Sequence, residues 1–513
     1  AETGFSEDAV EKARRQALSS EINGRKTMSG QASRLGLGEV VVGDINYGRS
    51  YLQRLQAVQP EDLQLALRQY LIEATMCSVT LGPASEAGAD AQEDAMLAPL
   101  DPFERLSYAG GGRLLLQQDK RLPKVHLRCV ISGGPLYEPE DQRGVSELLA
   151  ELLTKDTSRR TAGEISSLIE CIGGTFSASG GNNTINLCLE VLPVDLPIAL
   201  ELLADGLTSP VFSEDTFETE REAQIAGLKE EDDEILDYGI RKLRELFFGE
   251  HPFSVGATGR VADLERLSRA AVVTHFERLV RASNVVISVC GDFSRSAVVS
   301  ALQPLLEEKL PTGSVKPIEL QEFVSPSAGL SLREPMAREQ SVVLYAFPDA
   351  GIQHTDYLVA EVLNELFSGM SSRLFESVRE DKGMAYYVGS TRIIGLQLGM
   401  FLFYACTHPS QAEEVMKEIV GEIARVAAGD VLEDELARCR TRLKAARIMG
   451  RQTVGARAMH AAIQESYSLP LDDDAEYAEK LDRIDAASLA AHACKYFASD
   501  CGVRMIVGPE PTA

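Results

Sequence analysis

The sequence predicts an α+β protein made of tandem homologous domains of about 210 residues, each an antiparallel sheet with helices packed on one face. Three observations predict it. Residues 5–83 align without a gap on residues 431–509, so that Glu7-Asp8 falls on Glu433-Asp434, Tyr51 on Tyr477, Tyr70 on Tyr496 and Gly82-Pro83 on Gly508-Pro509. A closing unit of amphipathic helix and short apolar run ends three times in glycine, in MCSVTLG, VVISVCG and VRMIVG. Between these endings, apolar runs such as VHLRCVIS, TINLCLEVLP, SVVLYAF and LGMFLFYA alternate with helical stretches such as DYLVAEVLNELFS.

Each element follows in order. Residues 1–83 carry only the closing half of a repeat, because the first glycine ending comes so early in the chain; they read as a domain remnant. Residues 84–103, ASEAGADAQEDAMLAPLDPF, are acidic and aperiodic and read as a linker. Residues 104–308 form a full domain. Within it Ser213-Glu214-Asp215 repeats Ser6-Glu7-Asp8, and Leu267 stands as far before Gly291 as Val58 before Gly82. Residues 309–327 hold prolines and turn residues and form a second linker, leaving 328–513 as the last domain. Hairpin-like spacing around Gly395 supports antiparallel pairing.

Composition excludes several classes. A net charge of −26 argues against nucleic acid, whose phosphates demand a basic footprint. No apolar run is long enough to span a bilayer, and AETGFSEDAVEKARRQ lacks the apolar core of a secretory signal; it reads as the interior of something longer. The nine cysteines are scattered, mostly in strand-like runs, which fits free thiols of a soluble protein in a reducing compartment such as cytoplasm or an organelle matrix. No C-x-x-C pair or i,i+4 histidine doublet marks a zinc cluster. The run Glu230–Glu234 lacks the spacing and glycine of a calcium loop and reads as an exposed acidic helix face.

Chemistry concentrates in FSGMSSRLFESVREDKGMAYYVGS. A helix is expected over Ser371–Lys382, with Leu374, Phe375 and Val378 on its apolar side and Gly383 as its left-handed stop. A strand opens at Tyr386-Tyr387. Arg379 and Tyr386 can then stand side by side at a sheet end, two donors suited to a carbonyl oxygen or oxyanion. The plainer alternative pairs Arg379 with Glu376 or Asp381 and packs Tyr386 in the sheet.

From Gly133 the chain reads GGPLYEPEDQRGVSELLAELLTKDT and resembles the pitrilysin-type peptidases, inverted zincins with an H-x-x-E-H helix. Glu138-Pro139, Gly144 and Lys155-x-Thr157 hold family positions, but Glu147 and Glu151 replace the two histidines and Ala150 the glutamate that activates water. The family's third ligand falls near Ala226-Gly227. Two carboxylates without an imidazole make a poor zinc site, so no metal is assigned to this chain. SSRLFESVREDKGMAYYV closely resembles the family's carboxy-terminal signature, which implies that Arg379 and Tyr386 contact substrate and assist the transition state beside zinc held elsewhere. Phe367-Ser368-Gly369-Met370 resembles a glycine-containing substrate loop, making Gly369 and Ser371 candidate substrate contacts. The resemblance further implies a clamshell of four similar domains, as one chain or two subunits. This chain would be the zinc-free half and would need an upstream segment or partner subunit carrying the H-x-x-E-H helix and its zinc. A non-proteolytic scaffold or peptide-binding subunit of the same fold is the alternative.

Overall fold

Helical periodicity in the first repeat is met by helix among the described residues of the structure, a computed structural model. It describes Phe5, Glu7, Val10, Ala13, Arg14 and Ala17, then residues 28–70, 101–318, 323–324, 329–471, 473–498 and 501–509. The MCSVTLG run with Cys77, most of the acidic linker and part of 309–327 lie outside these residues. Two compact units divide between Ala98 and Pro99. The first holds α1 (Met28–Leu37), a π-helical turn at Gly38–Val42, α2 (Tyr47–Ala57) and α3 (Pro60–Tyr70). Gly43, with φ of 75°, ends the π turn, and Glu61 and Asp62 sit in the first turn of α3, where the helix dipole favours acid.

The second unit opens with β1 (Glu104–Ser107), β2 (Arg113–Gln118), β3 (Val125–Ser132), α4 (Val145–Leu152), α5 (Ala162–Cys171), β4 (Thr175–Gly180) and β5 (Thr184–Val191). It continues with α6 (Leu196–Thr208), α7 (Glu214–Glu231), α8 (Ile235–Phe248), α9 (Val261–Leu264), α10 (Arg269–Leu279), β6 (Val285–Gly291) and α11 (Arg295–Pro304). The same succession then recurs: β7 (Leu330–Pro335), β8 (Ser341–Ala350), α12 (Tyr357–Phe367), β9 (Ala385–Ile394), β10 (Leu398–Thr407) and α13 (Ala412–Ala427). It closes with α14 (Glu433–Gly450), α15 (Val454–Ser466), α16 (Asp474–Arg483), α17 (Ala486–Tyr496) and β11 (Val503–Gly508). Under the gapless alignment α1 starts level with α15, and α3 coincides with α17 end to end.

Two sheets carry these elements, ordered β1-β2-β6-β3-β5-β4 and β7-β11-β8-β10-β9. The expectation of wholly antiparallel sheets is corrected at one pair in each. β2 runs parallel to β6, with Arg113 opposite Val286, and β7 runs parallel to β11, with Val503 opposite Leu330. Both pairs join a strand at the front of a repeat to the strand that closes it, a return that local periodicity does not reveal. The hairpin around Gly395 is present as β9 and β10, with Gly399 opposite Ile394.

Helices on a single sheet face are also corrected. The inner face of the first sheet packs on α4, α6 and α10 through Leu127, Leu149, Leu203, Val272 and Ile287, and that of the second on α12, α13 and α17 through Phe347, Leu363, Phe403, Ile419 and Leu489. The outer faces are covered by an exchange. Leu243, Phe247 and Phe248 of α8 pack on Val342, Leu344, Met505 and Val507 of the second sheet. Ala461 and Ala462 of α15 pack on Leu115, Val130 and Val286 of the first. Closeness is extreme at Gly239, where a β-carbon would lie 2.9 Å from Leu344, and at Gly455, where it would lie 2.7 Å from His126. With both faces covered, β6 is buried at every residue, the signature of its unbroken run VVISVCG. The acidic run at 230–234 does not form one helix face: α7 ends at Glu231, and Asp232–Asp233 lie in a turn.

Candidate active site

Helix α4 is held by a frame of backbone bonds. Glu138 is buried, and its carboxylate accepts the N–H groups of Gly144 and Ser146, each at 3.0 Å. Burial pushes its carboxyl up, while those two donors and the neighbouring Arg143 pull it back down. Arg143 donates to the carbonyls of Pro135 (2.6 Å) and Glu138 (2.9 Å). Gly144 has φ of 95°, and a β-carbon there would lie 2.7 Å from the Thr258 carbonyl oxygen, so only glycine fits. At the far end Lys155 pairs with Glu220 at 2.9 Å, and Thr157 accepts the N–H of Arg160 at 3.2 Å.

Inside this frame two of the three metal-motif positions, Glu147 and Ala150, have other work. Glu147 Oε2 accepts the N–H of Gly180 at 2.7 Å and ties α4 to the edge strand β4. Ala150 is fully buried in the apolar core. Burial raises the carboxyls of both Glu147 and Glu151, with Lys155 opposing it at Glu151. Ala226 and Gly227 are exposed on α7, where a β-carbon on Gly227 would meet nothing within 4 Å; their neighbour Gln224 reaches the start of α4, donating to the Gly144 carbonyl at 3.1 Å. Among the described residues no group of three His, Cys, Asp or Glu side chains could hold a metal ion. This donor set does not fit zinc: it lacks an imidazole, one carboxylate is committed to a backbone N–H, and the base position is a methyl group.

The second constellation is assembled by an irregular turn. The expected helix over Ser371–Lys382 is replaced by a short helical start at Arg373 followed by a π-helical segment, Phe375–Glu380. Its widened bonds include Asp381 N–H to Glu376 O at 2.8 Å. Gly383 takes φ of 59°, as expected of the stop, and Met384 N–H returns to Val378 O at 2.9 Å. The chain thereby turns into β9, an edge strand that starts at Ala385, one residue earlier than expected.

Arg379 and Tyr386 meet across this turn. The Arg379 guanidinium lies 5.8 Å from the Tyr386 ring centre and 4.9 Å from that of Phe375. Neither Glu376 nor Asp381 pairs with Arg379, whose side chain has no hydrogen bond or ion pair among the described residues. Tyr386 is 71% exposed rather than packed in the sheet. Two aromatic faces thus hold the cation in place, and both its donors and the Tyr386 hydroxyl are left available.

The glycine loop precedes this turn. Gly369 has φ of 96°, and a β-carbon there would lie 2.8 Å from the Arg442 guanidinium. Arg442 of α14 pairs with Glu365 of α12 at 2.7 Å and reaches Ser371 Oγ at 3.5 Å. The start of the turn is fixed by Arg373, nearly buried, whose two nitrogens bond the Glu435 carboxylate at 2.9 and 2.6 Å. Ser390 of β9 completes the support, donating to Asn364 Oδ1 at 2.9 Å. Sequence reading missed Phe375 as the stacking partner and Arg442, Arg373 and Glu435 as supports. The available signal was the FESVR spacing, which sets Phe375 one turn before Arg379.

Comparison with known proteins gives the family of the chain. Residues 113–252 match the family described as Insulinase (Peptidase family M16), and residues 266–443 match the Peptidase M16 inactive domain. The chain belongs to peptidase family M16. It is similar to an uncharacterized zinc protease of Streptomyces coelicolor, 26% identical over 393 residues that cover 74% of this chain and 84% of the relative. A second uncharacterized zinc protease, from Rickettsia felis, is 25% identical over 395 residues, 75% of this chain and 92% of the relative. A protease from Helicobacter pylori superposes with a TM-score of 0.74 at 18% identity, covering 80% of this chain and 100% of that one. A peptidase M16 inactive domain from Pseudomonas fluorescens gives 0.72 at 21% identity, covering 79% and 98%. These two likenesses carry the fold.

Proposed function

We propose that this chain is the zinc-free half of a metalloendopeptidase of peptidase family M16, in which a further segment or partner subunit holds the zinc. It encloses peptides or small unfolded proteins in a clamshell and presents Arg379 and Tyr386 to the active site. One observation carries the reading: Arg379 has aromatic faces but no carboxylate partner among the described residues, and stands beside an exposed Tyr386 at a sheet edge. A cation without a counter-charge and a phenol without an acceptor are two donors ready for an oxygen that gains charge. The scissile carbonyl is that oxygen, and fixed donors stabilise its oxyanion more than its ground state. Gly369 and Ser371, steadied by Arg442, offer backbone to an extended peptide beside β9. The zinc itself supplies activated water when bound in the other half.

The test is to mix the chain with the M16 polypeptide of the same source that carries an intact H-x-x-E-H helix and to follow a quenched peptide. Cleavage abolished by a chelator supports the reading. Peptide binding without chelator-sensitive cleavage turns it into the scaffold reading.

A further inference from the structure

The same helix occurs three times, and twice it leaves its own repeat. α8 and α15 each follow the long helix of a repeat, α7 and α14, and each crosses to cover the outer face of the other sheet. The third copy is α1 with its π turn. In register with α8, Val40 stands where Phe247 stands, Val41 where Phe248 stands, and Gly36 where Leu243 stands; in register with α15, Leu35 stands where Ala461 stands. Phe247, Phe248, Leu243 and Ala461 are all buried on a sheet. Their counterparts lie open: Leu35 is 50%, Val40 83% and Val41 72% exposed, and a β-carbon on Gly36 would meet nothing within 4 Å. Leu37, Val42 and Ile45 extend the same exposed apolar patch.

We propose that Leu35–Ile45 is a docking element that covers the outer face of the sheet of a further domain of this fold, as α8 and α15 cover theirs. The exchange itself identifies the occupant, because the positions exposed here are the positions buried there. A second copy of this chain fits poorly, since α15 and α8 already cover the outer faces of its two sheets. The surface sought is therefore a strand face rich in Val, Leu and Met, like that of Val342, Leu344, Met505 and Val507. The proposal rests on the reading that the chain works with a zinc-bearing M16 polypeptide, and makes that polypeptide the probe.

Hydrogen exchange by mass spectrometry on the full chain, alone and with that polypeptide, tests it. Slowed exchange over residues 35–45 in the mixture is expected, and Val40→Asp with Val41→Asp weakens association by about tenfold or more while exchange over 101–509 in the free chain is unchanged. A complex in which 35–45 exchanges as fast as in the free chain overturns the proposal. So does equal affinity of the double variant, absence of any complex, or self-association through this segment in sedimentation. Peptide cleavage is read on the same mixture. Protection without chelator-sensitive cleavage rejects the peptidase reading and keeps the docking, whereas cleavage without protection does the reverse.

Discussion

At the residue scale, the proposed role of the Arg379–Tyr386 contact can be told apart from a role in folding. Tyr386→Phe removes one hydroxyl from an exposed ring that bonds nothing else among the described residues, so stability holds. Turnover of the assembled peptidase drops about tenfold to a hundredfold with KM little changed, the pattern of a donor used in the transition state; a KM rise at constant kcat contradicts this. Gly144 is the opposite case. Gly144→Ala meets both a positive φ and the Thr258 carbonyl, and a chemical denaturation curve should show a loss of about 2–3 kcal/mol. His275 sets a pH dependence beneath α4. Arg278 donates to its Nδ1 at 3.1 Å, so the neutral ring presents Nε2–H to Ser146 Oγ at 2.9 Å. Burial, then the Arg278 charge, hold its pKa down to about 3 from an ordinary 6.5. The neutral form is favoured in the fold, so its contribution is complete above pH 6.5 and is lost as pH falls from 6.5 toward 3. His275→Gln flattens that fall in urea titrations at pH 7 and pH 5; an identical pH slope contradicts the assignment.

At the element scale, the exchange of α8 and α15 ties the two sheets together. Phe247 is buried against the sheet of the other repeat, so Phe247→Ala should cost about 3–5 kcal/mol. Because the lost contacts bridge both sheets, the whole second unit loses stability in one transition. Two separated transitions would show that the sheets fold independently. This is also where sequence and structure part. The repeat was legible because α1 and α3 preserve the spacing of α15 and α17 without a gap, and the frame of α4 because Glu138 and Gly144 are required by backbone geometry. The exchange was not legible. Amphipathic spacing shows that a face of α8 is buried, but not which sheet buries it, although VVISVCG already implied a strand covered on both sides. The parallel pairs β2–β6 and β7–β11 are long-range returns with no local pattern. The π turn at Phe375–Glu380 is hidden for another reason: one extra residue in a turn barely alters apolar periodicity, yet it brings Arg379 over Tyr386.

At the scale of the molecule, the two repeats of the second unit differ in what they offer: the first at α4, after β3, the second at the turn into β9. In the first, α4 keeps its frame, Glu147 is tied to the Gly180 N–H and Ala150 is buried in the core. In the second, the turn before the edge strand keeps two unspent donors. The central claim, as proposed above, is that this polar pair works with a metal held outside this chain. The most direct measurement is the turnover of a quenched peptide by the chain combined with the zinc-motif polypeptide of the same source, with Arg379→Ala beside the unaltered chain. The account predicts chelator-sensitive cleavage that falls about a hundredfold in the variant, the size of losing one oxyanion donor, with the complex still formed. Equal turnover by a folded, assembled Arg379→Ala variant would contradict it.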